Sequence, residues 1–179
     1  MVTEGAVTDA WYRLVQRIKV RARKTLFTRT ELELRAKEAT SVHPWGPTEE
    51  QLRDLATSCR ESSSIEEVGP VLLQRLGRSG TAWTQVYKAL VAIEHLVLHS
   101  SPEWVSWAVE VAGPCICQLQ TFQYVDSEDQ DWGAKVRAKA AHLDHLLRRP
   151  AKLSRMRGSK GCSSFSSVES CSSAILVQQ

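Results

Sequence analysis

The chain has 179 residues, 24% of them charged, and a formal net charge of +3, so there is room for one ordered domain and no strong overall charge. No run of about 18 apolar residues and no N-terminal apolar stretch with a small-residue cleavage site is present, so membrane contact is expected to be peripheral and the location cytoplasmic, or nuclear. Five cysteines, odd in number and unpaired in spacing, are expected to be reduced thiols.

The first element is a basic amphipathic helix over residues 9–27. Trp11, Leu14, Val15, Ile18 and Ala22 recur at helical spacing along one side. Arg13, Arg17, Arg21 and Lys24 occupy the rest, and no acid occurs between Ala10 and Thr30. Such asymmetry points to an anionic partner, either a membrane surface or nucleic acid. One reading is a first helix packed on the domain with a solvated basic face. The sharper one is an interfacial helix that lays its apolar stripe into a bilayer. No recognition motif accompanies the charge, so nucleic acid is not expected.

Helical signals then recur and strand alternation does not. Capping boxes of the form S/T-x-x-E/Q open helices at Thr30, Thr48 and Ser64. Pro44 removes an N–H and disfavours helix at His43, which ends the second helix near Ser41. Trp45, the one large apolar group in that turn, is expected to plug it into the core. Gly77 and Gly80 bracket a turn, Ser101-Pro102 starts another helix, and Gly113-Pro114 is expected to interrupt a long apolar one. The expected helices are 9–27, 30–41, 48–60, 64–77, 81–99, 102–112, 115–121 and 131–148. Trp83, Val86, Tyr87, Leu90, Ile93, Leu96 and Val97 form a 3.6-residue stripe, making 81–99 the central helix. Residues 1–29 are thus an N-terminal helix belonging to the domain, 30–150 the helical body, and 151–179 a disordered Ser/Cys-rich tail.

Three blocks carry a resemblance. Residues 37–47 read K-E-A-T-S-x-x-P-W-G-P; residues 83–89 read W-x-x-V-Y-K-A; residues 122–140 read F-x-Y-V-D…D-x-G-x-x-V-R-x-K-A. Together, in order and at compatible distances, they resemble the signature of the epsin N-terminal homology (ENTH) domain family. The resemblance implies an all-α superhelical solenoid of about eight helices. It also implies a peripheral adaptor that binds phosphoinositide membrane in clathrin-linked vesicle traffic.

In that family, basic side chains grip an inositol phosphate head group while the N-terminal segment folds and inserts. Carried over by position, Arg23, Lys37 and Arg75 match head-group positions. Arg13, Arg17, Arg21 and Lys24 would face the membrane, and Trp11, Leu14, Val15 and Ile18 would insert. Other pocket positions depart from the family: Val20 stands for a basic residue, Val42 for a polar one, Thr81 for a lysine and Gln85 for a histidine. His43 or Arg78 is available to compensate.

Catalytic and metal patterns are weak. His95 and His99 stand at i, i+4, but no third ligand accompanies them, and Glu94 precedes His95 rather than following it. Cys115 and Cys117 lack a second pair and are expected to be small buried residues. No enzyme activity, metal or cofactor is expected, and the domain is expected to be monomeric. The D-P-W and N-P-F tripeptides of epsin tails do not occur, and residues 143–147 are helical rather than an acidic clathrin box. A fragment, a short isoform or a stand-alone relative is therefore expected. The alternative reading is a helical protein-interaction module, for a SNARE or coat-associated partner, without lipid specificity.

Overall fold

The computed structural model describes residues 30–43 and 46–161. Among them the architecture is helical, with one isolated antiparallel bridge, between Val125 and Asp131. The α-helices are α1 (Glu31–Ala39), α2 (Glu49–Ser58), α3 (Ser64–Leu76), α4 (Trp83–His99), α5 (Glu103–Trp107), α6 (Gly113–Gln118), α7 (Gly133–Leu147) and α8 (Pro150–Gly161). The expected helix 9–27, and Pro44 and Trp45, lie outside the described residues.

Local chemistry sets most boundaries. Thr48 and Gln51 form both bonds of the expected capping box, and Thr30 Oγ1 accepts from the Glu33 N–H. Ser64 departs from expectation: it lies inside α3 and its hydroxyl donates to the Glu61 carbonyl at 2.5 Å, so no box forms there. The expected break at Gly113-Pro114 is also corrected. The chain stays helical from Glu103 to Thr121, and a π turn at Ala108–Ala112 separates α5 from α6. Pro114 has no N–H to give, and the wider turn ahead of it absorbs the mismatch without ending the helix.

The helices pack mostly on sequence neighbours and around one central element. α1 meets α2 and α3, while α4 meets α2, α3, α5, α7 and α8. That is the expected solenoid, with α4 at its centre. Val86, Ala89, Leu90, Ala92, Ile93, Leu96 and Val97 of α4 are buried, together with Leu55, Leu72, Trp104, Ile116, Leu143 and Leu146 from its neighbours. Full burial of the valine, leucine and isoleucine side chains among these contributes about 1.5–3 kcal/mol each. Polar ends are satisfied too, since Trp104 Nε1 and the Ser100 hydroxyl both donate to the Cys59 carbonyl that ends α2.

Three contacts fix the direction of α7. Lys135 lies over the Trp83 ring at the start of α4, while Lys139 and His142 both reach Glu94 farther along it. The two helices therefore run the same way. α8 lies at their shared C-terminal end, where Arg157 donates to the Val97 and Ser100 carbonyls. Leu153 is buried there, with Met156 packed beside the core. Residues 151–161, expected in the disordered tail, thus belong to an ordered helix. One apolar anchor and one arginine cap order it, which composition alone does not signal.

Candidate functional site

The turn after α1 is tethered from beneath. Lys88 is 4% exposed, and its ammonium donates to the Ser41 carbonyl at 3.0 Å and the His43 carbonyl at 2.6 Å. Burial lowers its pKa from the usual lysine value. The lysine of W-x-x-V-Y-K-A is thus spent on holding the first signature turn in place. The third signature block is likewise a scaffold. Asp126 accepts from the Glu128 and Gln130 amides and from the Trp132 indole, while Arg137 binds both Asp131 and the Phe122 carbonyl. These bonds hold the Asp126 and Asp131 carboxyls below the usual aspartate range, the Trp132 bond acting most on Asp126 and the Arg137 bond most on Asp131. Trp132 stacks on Trp83 at 4.8 Å between ring centroids, with Lys135 over both rings.

A cationic site forms where the C-terminal ends of α1 and α3 meet the start of α4. Gly80 adopts φ +59°, a left-handed conformation that glycine reaches without penalty, and it turns the chain from α3 toward α4. Across that turn Arg75 and Arg78 both donate to one acceptor, the Gln85 side-chain carbonyl. Arg75 Nη1 is 3.3 Å from it, and Arg75 Nε is 3.3 Å from Thr40 Oγ1. Gln85 is only 1% exposed, so the acceptor is fixed. Burial first, and then the positive charge of Arg78, lower the Arg75 pKa. Two guanidiniums converging on a neutral amide, with no carboxylate bonded to either among the described residues, are a ready site for an anion.

The predicted residues are only partly brought together. Arg75 sits in this site. Lys37 lies one turn before Thr40 on α1, where its ammonium pairs with Glu33 instead. Arg23, and all the residues predicted to face or enter a membrane, lie outside the described residues. Of the two compensating candidates, Arg78 joins Arg75, whereas His43 contributes its backbone carbonyl to Lys88. Gln85, read from sequence as a lost basic position, is the group that assembles the pair. The only sequence signal for it is its place three residues before Lys88, one helical turn away.

Beside this site, α4 and α7 enclose an open groove of about 610 Å³ lined by Trp83, Tyr87, Lys88, Lys135, Lys139 and His142. The His95 and His99 rings lie 4.3 Å apart, tilted by 33°, yet no group of three or more metal-ligating side chains occurs among the described residues. Cys115 is buried and its thiol is pushed up to about 12 by burial, whereas Cys117 is exposed, correcting the expectation that both are buried. Two positions apart on a helix, they face different sides. No helix among the described residues is long and apolar enough to cross a membrane.

Comparison with known proteins agrees on one family. The family model described as ENTH domain matches residues 29–153. The "Clathrin interactor EPSIN 1" of Arabidopsis thaliana is 35% identical over 127 residues, covering 71% of this chain and 22% of its own length. Epsin-1 of Homo sapiens is 35% identical over 119 residues, covering 66% of this chain and 20% of its own. The chain therefore spans about a fifth of the length of the curated relatives it matches. Among solved structures, the ENTH domain from epsin-2 in complex with phosphatidylinositol 4,5-bisphosphate superposes with a TM-score of 0.71 at 27% identity, covering 77% of this chain and 96% of that one.

Proposed function

The chain belongs to the ENTH domain family, and from that premise we propose that it is a peripheral adaptor for phosphoinositide-containing membrane in clathrin-linked traffic. The observation that carries this reading is the Arg75–Arg78 pair held on Gln85. A phosphomonoester has the acceptor oxygens and the charge to satisfy both guanidiniums, and it would relieve their mutual repulsion. Arg23 would join from the N-terminal segment, and Lys37 after exchanging Glu33 for the lipid. Arg13, Arg17, Arg21 and Lys24 would add attraction to the leaflet, with Trp11, Leu14, Val15 and Ile18 inserting. The role is one of binding rather than catalysis, performed as a monomer on the cytoplasmic face of plasma membrane, endosome or Golgi-derived vesicles.

The test is co-sedimentation with vesicles carrying a phosphatidylinositol bisphosphate, a monophosphate, or phosphatidylserine alone. Arg75→Glu with Arg78→Glu should weaken binding to the phosphoinositide vesicles by at least about tenfold, and to phosphatidylserine vesicles much less. Equal losses on all three would mean that no head-group site exists.

Two observations support the alternative of a helical protein-interaction module. Lys37 already has a counter-ion, and the aromatic and basic groove between α4 and α7 offers a protein partner both an apolar floor and charged walls. Vesicle binding unaffected by any of these substitutions would favour it.

A further inference from the structure

We propose that the α8 end of the domain is a second anionic-membrane surface, so that one molecule can hold two bilayers. From His145 to Gly161 the chain carries Arg148, Arg149, Lys152, Arg155, Arg157 and Lys160 and no acid. The structure divides these cations by task. Arg148 pairs with Asp144 at 2.9 Å, and Arg157 is turned inward to the carbonyls that end α4. Arg149, Lys152 and Arg155 are exposed, and their side chains have no hydrogen-bond or ion-pair partner among the described residues. Asp144 is already occupied by Arg148, so it does not neutralise the three.

Position makes this a separate surface. The Arg75–Arg78 site stands at the N-terminal end of α4, on Gln85, whereas α8 is fastened to Val97 and Ser100 at the other end. Twelve residues of helix separate Gln85 from Val97, roughly 18 Å along the axis. α4 and α7 run the same way, so α8 covers the end of both that is remote from the head-group site.

The chemistry of the surface favours a bilayer over a protein. Protein interfaces are built around apolar or aromatic anchors and are depleted of charge at their centre. Here the apolar residues of α8 are turned inward: Leu153 is buried and Met156 half-buried. The outward positions beside the cations are Ala151, Ser154 and Gly158, which offer no anchor. A leaflet of anionic lipid needs none, because its attraction for lysine and arginine is diffuse and accumulates over the cations.

Bridging rests on the proposed function, since the first bilayer is held by the head-group end. The experiment uses the full chain and phosphatidylcholine vesicles containing phosphatidylserine and a phosphatidylinositol bisphosphate. Pelleting reports attachment, and dynamic light scattering reports joining of vesicles. The wild-type chain should do both, and high salt should reverse the joining. Arg149→Glu, Lys152→Glu and Arg155→Glu together should leave pelleting unchanged and reduce vesicle clustering on the order of tenfold. Arg149→Gln, Lys152→Gln and Arg155→Gln should give the same result more weakly, and they serve if the reversed variant fails to fold by circular dichroism. Clustering that survives these substitutions, or wild-type pelleting without clustering, overturns the inference and leaves the proposed function standing. Failure of the wild type to pellet removes both. If instead the substitutions abolish binding of a duplex DNA oligonucleotide and leave clustering intact, the surface belongs to nucleic acid and the membrane inference is overturned.

Discussion

Lys88 carries a charge in a nearly closed environment because two carbonyls of the preceding turn need donors. Lys88→Met keeps the stem and removes the donor. Each carbonyl left without a partner costs about 1–3 kcal/mol, so the melting temperature should drop by several degrees in a thermal unfolding scan. An unchanged melt would mean that the turn is held by other contacts. Asp126 and Asp131 make a second residue-scale prediction. Their folded pKa values lie below the ordinary aspartate value. The stability they contribute is therefore complete above that value and is lost as the pH falls through the folded pKa. Wild-type melting should decline below about pH 4, and Asp131→Asn should flatten that decline when melts are compared across acidic buffers.

At the scale of elements, the join between the 122–132 segment and α7 depends on one glycine. A Cβ on Gly133 would stand 2.8 Å from the Tyr124 backbone nitrogen and 3.0 Å from both the Asp131 carboxylate and the Arg137 guanidinium. Gly133→Ala should therefore force the segment apart and cost about 1–3 kcal/mol, read as a lower denaturation midpoint. α8 is the converse case. Leu153→Ala should cost about 2–4 kcal/mol, because that residue is the buried anchor of the helix. A midpoint equal to wild type would mean that α8 contributes nothing to stability. The helices differ in what could be read beforehand. Caps at Thr30 and Thr48, and the apolar stripe of α4, act within one or two turns of chain, so those helices were legible. α8 was not, because its order comes from tertiary partners 57 and 60 residues earlier in the chain. Arg75 was legible through a motif, whereas its partnership with Arg78 depends on a turn that brings both to Gln85.

At the scale of the whole molecule, insertion and adhesion predict different outcomes for the proposed membrane attachment. Leu14→Glu or Ile18→Glu places a charge on the proposed apolar stripe and spares every cation. Insertion predicts markedly weaker vesicle pelleting and loss of the lipid-dependent blue shift of Trp11 fluorescence, measured with the other tryptophans replaced. Adhesion predicts little change from these substitutions, but release as salt rises from about 0.05 to about 0.5 M, where the Debye length shrinks to roughly 4 Å. Unaltered pelleting by both variants, combined with strong salt release, would leave an electrostatic tether in place of a wedge.

Gln85 also decides how the site responds to protons. An imidazole at that position would gain and lose charge across the cytoplasmic range and modulate affinity with it. The amide that gathers Arg75 and Arg78 does not titrate. Gln85 therefore adds no proton response to the proposed head-group site, and the phosphomonoester's own second ionisation, near pH 6, is left to be sensed.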